Sequence, residues 1–324
     1  MNLSTTSSPH VKGRDSTARL MRDVVIALLP ALLVGVWVHG PRALLVTLVS
    51  VASCLLAEGL FRLAIRSHNT LPDGSAVVTG LLLAMTLPAT VSYWAVALGG
   101  VFAMVVVKGL FGGLGQNIFN PALSARALLL LLWPAQIVRY AAQGQALPLW
   151  GSTADVVTAA TALHDMVRPA MPDVSWAQML LGNMAGAIGE TSALALLAGG
   201  IYLMVRRVIS YRIPAAYLGT VAVVTLLFSR GQPPFAWMAA QLLSGGLLLG
   251  ALFMATDYAT SPVTPVGQAV YGVGCGLLTV LFRYFGLFPE GVTYAILLMN
   301  AAVWLLDRLT APRRFGTVKG GAGR

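Results

Sequence analysis

The chain has 324 residues, 57% of them hydrophobic and only 10% charged, with a mean hydropathy of +0.78. That composition excludes an ordinary soluble domain and fits an all-α, polytopic membrane protein. The formal charge of +10 does not point to nucleic acid. In a membrane chain, Lys and Arg gather in cytoplasmic loops, so the expected partner is membrane lipid and no nucleic acid.

Two cysteines, Cys54 and Cys275, both fall inside apolar runs and read as packing residues. Two are too few to supply four thiolates to an iron–sulfur cluster. The histidines His10, His39, His68 and His164 lack ligand spacing, so no metal site is expected.

Residues 1–22 are rich in Ser and Thr and carry Lys12, Arg14, Arg19 and Arg22. With no clear small-residue cleavage site after them, they read as a retained cytoplasmic tail. Ten hydrophobic segments follow, at 24–39, 43–65, 75–88, 92–111, 117–134, 188–205, 213–229, 237–255, 268–286 and 291–307. A bilayer core needs about 20 helical residues. The segment at 75–88 is short, as broken helices near binding sites are.

With the N-terminus inside, 15 of the 21 basic residues lie on the cytoplasmic side, Arg62, Lys108, Arg206, Arg207 and Arg212 among them. Only Arg42, Arg139, Arg168, Arg230 and Arg283 lie outside, and Arg126 is inside the fifth segment. Both termini are then cytoplasmic, and the connection 135–187 is periplasmic. This divides the chain into a tail (1–22), a first membrane repeat (23–134), the outer loop (135–187), a second repeat (188–307) and a C-terminal tail (308–324). GLLLAMTLPATVS at 80–92 is echoed by GLLLGALFMATDYATSP at 246–262. Five segments in each half make the repeats inverted.

The outer loop holds DVVTAATAL at 155–163, a polar stretch in an apolar chain. A phosphoester needs a hydroxyl nucleophile with room around it, and Thr161 sits among Ala159, Ala160 and Ala162. No GxGxxG follows a strand here, so a dinucleotide-type phosphate cradle is absent from the sequence. Several charges in or beside the apolar segments stand out as well. Glu190, in GETS at 189–192, suits either a helix N-terminus or a flavin or ion region. Gly182, Gly186 and Gly189 read as close packing or approach to a ring system. Glu58 and Arg62 are four apart and suit a structural pair. Arg126 needs a partner or a phosphate. Asp73 and Asp257 are candidates for a polar site at the broken helices, and Asn117 and Asn120 for caps of the fifth helix.

Four stretches carry a family resemblance: GGLGQNIFNPAL at 112–123, the pattern at 155–161, GNMAGAIGETSALALLAGG at 182–200 and LFMATDYATSPVTPVGQ at 252–268. On these the chain resembles the RnfD family, membrane components of the Rnf (Rsx) ion-translocating electron-transport complex. It is more distantly similar to the NqrB component of the sodium-translocating NADH:quinone reductase. In that family a Thr in the pattern Asp-x-x-Ser/Thr-x-Ala-Thr is joined to FMN through a phosphoester. Asp155, Thr158, Ala160 and Thr161 fill the pattern, with Thr161 the acceptor; Ala159 replaces the frequent Gly.

The resemblance implies a bacterial inner-membrane flavoprotein that relays electrons through covalent FMN. Its complex would couple ferredoxin and NAD to Na⁺ or H⁺ translocation. It also implies other Rnf-type subunits as partners, a flavin transferase for maturation, and room for a second, noncovalent flavin that no residue set marks. The energetics are workable. One charge against 100 mV costs about 2.3 kcal/mol, and two electrons deliver about 1.4 kcal/mol per 30 mV, so a drop of about 50 mV per charge suffices. Two other readings stay open: a passive channel or carrier of the inverted-repeat type, and a cofactor-free anchor for redox subunits.

Overall fold

The computed structural model describes residues 16–66, 70–142, 144–151, 156–159, 161–167, 170–172, 174–182, 184–286 and 290–312. Among the described residues the regular structure is helical, and the only extended pairing is an isolated antiparallel bridge between Ala141 and Thr158. Asp155 and Ala160 lie outside the described residues.

The first five apolar helices are α1 (Thr17–His39), α2 (Pro41–Ala64), α3 (Ser75–Thr86), α4 (Tyr93–Gly109) and α5 (Pro121–Leu132). Short helices α6 (Pro134–Ile137), α7 (Ala162–Asp165) and α8 (Trp176–Leu181) lie in the long connection. Then come α9 (Ala193–Val205), α10 (Arg212–Leu227), α11 (Pro234–Leu243), α12 (Leu247–Met254), α13 (Pro265–Phe285) and α14 (Val292–Leu309). Local chemistry sets several of these boundaries. Ser16, Asn120, Ser192 and Thr264 each accept from a backbone N–H of the first turn they cap. Pro41, Pro121, Pro234 and Pro265 sit at first helical positions, where no N–H is needed.

All ten hydrophobic segments coincide with helices, yet not all have spanning length. α1, α2, α13 and α14 are long and apolar enough to cross a bilayer, and α11 with α12 makes a fifth candidate, bent by 64° at its break. α3, α4, α5, α9 and α10 are shorter apolar helices. The fifth segment becomes helical only at Pro121, where Asn120 caps it, and the sixth only at Ala193. The residues before α9 form a buried turn instead. Ile188 and Gly189 donate their amides to Leu87 and Met85 at the end of α3, at 3.0 and 2.8 Å, so a helix there is not needed to satisfy the backbone.

Small residues bring the helices together. A β-carbon at Gly80 on α3 would lie 2.7 Å from Val51 Cα on α2. At Gly272 and Gly276, one turn apart on α13, it would lie 2.8 Å from Ala216 and 2.7 Å from Thr220 on α10. Such small-xxx-small stripes let helix backbones approach where no hydrophobic effect drives association. Cys54 and Cys275 are both buried and unbridged, in keeping with packing roles. Outward-facing Leu33, Trp37, Leu63, Leu131 and Phe285 leave a broad apolar exterior of the kind that suits lipid.

The two halves meet at two helix pairs. α9 runs antiparallel to α1, with Asp23 early in α1 meeting Arg206 just past the end of α9 at 3.0 Å. α5 meets α14. Within each half the second helix, α2 or α10, packs on both the third and the fourth, α3 and α4 or α11 and α13.

Candidate functional site

The loop with the expected attachment residue lies over the break between α11 and α12. Thr158 is exposed and bridged to Ala141, while Ala142 and Ala159 donate to the carbonyls of Val157 and Tyr140 at 3.0 and 3.1 Å. Thr161 is half-buried, immediately before α7. Ala162, Leu163 and Met166 behind it bury against Met179, Met184, Trp237 and Ala240. The loop is therefore anchored on one side and open on the other, which leaves the threonine region reachable.

Beneath it, α11 stops at Leu243 and the chain turns through Gly245, whose φ of 67° favours glycine. A β-carbon at Gly245 would meet Leu163 at 3.0 Å and the Arg283 guanidinium at 3.5 Å. Arg283 donates to the Gln241 carbonyl and side chain at 2.6 and 3.0 Å and to the Ser244 carbonyl at 3.0 Å. It thereby ties off helix-end carbonyls that would otherwise be orphaned. Among the described residues, three buried polar atoms around this break lack a hydrogen-bond partner: Ser244 Oγ, Arg283 Nε and Glu190 Oε1. Orphans of this kind are costly in an apolar interior and suit a site that takes a polar group.

Glu190 does not cap α9, since Ser192 does. It lies in the buried turn and joins a charge cluster with Arg126, Glu290 and Tyr140. Arg126 makes a close ion pair to Glu290, and Tyr140 donates its hydroxyl to the same carboxylate. The contact of Arg126 to Glu190 is looser, at 3.8 Å, and the Ala187 amide donates to Glu190 Oε2 at 3.4 Å. The partner that Arg126 required is thus carboxylate. Burial pushes the ionisation of Tyr140 up, so its hydroxyl stays a donor at neutral pH. Gly189 lets the turn approach α3, where a β-carbon would lie 2.5 Å from that of Met85. Gly246 likewise faces Glu190 Oε1, which a β-carbon would meet at 2.7 Å.

A second buried charge site lies among α2, α3 and α4. Glu58 pairs with Lys108 at 2.6 Å and also accepts from Thr70 at 2.6 Å. Lys108, counted from sequence on the cytoplasmic side, is buried and donates to Ser75 at 2.6 Å as well. Asp73 accepts from the Ser75 amide at 2.8 Å and hydroxyl at 2.5 Å, and so fixes the start of α3. Asn120 caps α5 and donates to the Met254 carbonyl at 3.4 Å, whereas Asn117 is buried with its carbonyl oxygen unpaired. Asp257, held by Thr260 at 3.3 Å, lines a cavity shared with Ser75, Lys108, Asn117 and Asn120. Burial pushes its carboxyl up from the usual range, against the bonds from Ala259 and Thr260. Asp73 and Asp257 are not brought into contact: one holds Ser75 at the start of α3, the other faces this cavity.

Glu290 and Tyr140 are the site residues that sequence reasoning missed. A signal for Glu290 existed, an acidic residue in the short link between two apolar helices. Nothing local marks Tyr140.

These features define a polytopic helical membrane protein with a broken helix, buried charges and a long connection between its two halves. The match to the NQR2, RnfD, RnfE family extends over residues 4–316, and the chain belongs to that family. It is 46% identical, over 98% of its length and 97% of the relative's, to the D component of the Na(+)-translocating ferredoxin:NAD(+) oxidoreductase complex of Acetobacterium woodii. It is 39% identical to the D component of the proton-translocating ferredoxin:NAD(+) oxidoreductase complex of Clostridium ljungdahlii, over 96% and 95% of the two chains. With the D component of the ion-translocating oxidoreductase complex of Escherichia coli strain K12 / DH10B it shares 35% identity, over 97% and 98%. Relatives named for different ions match at comparable levels, so similarity alone does not choose Na⁺ or H⁺.

Proposed function

We propose that this chain is the membrane subunit of an Rnf-type complex that couples electron transfer between ferredoxin and NAD to translocation of Na⁺ or H⁺. In this reading Thr161 carries FMN, attached through a phosphoester by a separate flavin transferase, and other Rnf-type subunits bring and remove the electrons. The observation that carries the reading is the end-to-end similarity to relatives named for that complex. The packing of Leu163, two residues past Thr161, against Gly245 at a helix break with orphaned polar atoms supports the cofactor.

FMN would supply one- and two-electron redox chemistry at this site. The protein's own share is positional. The packed residues Ala162, Leu163 and Met166 hold the loop over the break. Arg283 and Ser244 offer polar atoms beneath it, and the apolar wall formed by Trp237, Met179 and Met184 limits water. In the same reading the membrane is the bacterial inner membrane, both termini are cytoplasmic, the flavin loop is periplasmic, and the halves are inverted repeats. The antiparallel pairing of α1 with α9 and the meeting of α5 with α14 favour that symmetry.

The test is in-gel flavin fluorescence of the denatured protein, co-expressed with a flavin transferase, for the parent and Thr161→Ala. A fluorescent parent band that the substitution abolishes is expected. A dark parent band, with the transferase active on a control substrate, overturns the flavoprotein reading and favours a channel or a cofactor-free anchor.

A further inference from the structure

The charge cluster around Arg126 is unevenly satisfied. Glu290 holds the guanidinium in a close ion pair and also accepts from Tyr140. Glu190 is 4% exposed, yet its nearest donors are an amide at 3.4 Å and the same guanidinium at 3.8 Å. Among the described residues its Oε1 has no hydrogen-bond partner, and it borders a small cavity lined by Thr86, Gly246 and Thr293. A buried carboxylate with contacts this long is poorly compensated for its lost hydration, and a buried acid in that position takes up a proton rather than remain charged.

The charged and titratable groups facing Glu190 come from every element packed around it. They are Arg126 on α5, Glu290 before α14, Tyr140 in the outer loop and, at longer range, Arg283 on α13. Arg126 is committed to Glu290, Tyr140 is neutral, and Arg283 is taken up by helix-end carbonyls. None gives Glu190 a full counter-charge.

We propose that Glu190 is a proton-binding site: it is a neutral acid in the resting protein, and it exchanges its proton through a shift of Arg126 from Glu290 toward Glu190. The step balances without a redox partner. The O–H bond of Glu190 breaks, the proton leaves to water entering the cavity, and the new carboxylate takes over the guanidinium, which closes the 3.8 Å gap. Glu290 keeps its bond from Tyr140 throughout. The proposal does not depend on a flavin being attached.

The test is infrared spectroscopy of the purified full-length protein in detergent, comparing the parent with Glu190→Gln and Glu58→Gln. A protonated-carboxyl stretch that Glu190→Gln removes and Glu58→Gln leaves unchanged is expected. In the parent that band should fade as the solution is made strongly alkaline. An identical band in the parent and Glu190→Gln would overturn the proposal, because Glu190 would then be ionised. Should Glu190→Gln fail to fold, the parent itself is treated with an apolar carbodiimide, which adds to protonated buried carboxyls. Peptide mass spectrometry should find the adduct on Glu190 at neutral pH and not on Glu58. A Glu190 peptide left unmodified then contradicts the proposal.

Discussion

Two buried charge sites in one chain are solved in opposite ways. Among α2, α3 and α4, one acid meets one base: Glu58 and Lys108 lie 2.6 Å apart, and hydroxyls of Thr70 and Ser75 complete the network. One oxygen of Glu58 takes both short contacts and the other has none among the described residues, but the adjacent ammonium neutralises the whole carboxylate. Around α5, two acids share one guanidinium, and only Glu290 is served well. A matched pair resists change, whereas an under-compensated acid has two nearly balanced states. The first arrangement suits a fixed joint between helices, the second a site that exchanges a proton.

The comparison is broken most severely at Lys108. Lys108→Met should cost about 3 to 5 kcal/mol of stability, because it leaves Glu58 buried without its counter-charge. Thermal unfolding in detergent reads this, and adding Glu58→Gln should recover much of the loss. Glu290→Gln should cost less, about 1 to 3 kcal/mol, since its single amide oxygen can still accept from either Arg126 or Tyr140, though not from both, while the charge is lost. Asn120→Ala, which removes only a cap, should cost about 1 kcal/mol. Glu190→Gln should have the smallest effect. If Glu190 is already neutral, an uncharged isostere leaves the unfolding temperature within error, and a loss as large as that of Glu290→Gln would show that Glu190 carries a charge.

What the sequence makes legible follows from how local each feature is. α1, α2, α13 and α14 announce themselves by apolar length, and the Asn120 cap follows from its place before Pro121. The start of α9 is harder to read, because the apolar residues at 188–192 belong to a turn whose hydrogen bonds run to α3. Composition cannot distinguish a buried turn from a helix. Lys108 looks like the basic end of a helix until the fold turns it toward Glu58. The need of Arg126 for a partner was visible, while Glu290 and Tyr140 reach it only through tertiary packing. At the candidate site, Thr158 and Thr161 are singled out by the family pattern at 155–161, with small neighbours around Thr161 besides. The orphaned atoms of Ser244 and Arg283 beneath them depend on the bend between α11 and α12, which no local pattern encodes.

The central claim is that Thr161 carries an electron relay in a larger complex. Its most direct test is ferredoxin-driven NAD reduction by the assembled membrane complex, with the parent chain and with Thr161→Ala, scored together with co-purification of the other subunits. The account predicts that Thr161→Ala assembles normally and that electron transfer is lost. Assembly with electron transfer intact would contradict it and leave this chain as an anchor.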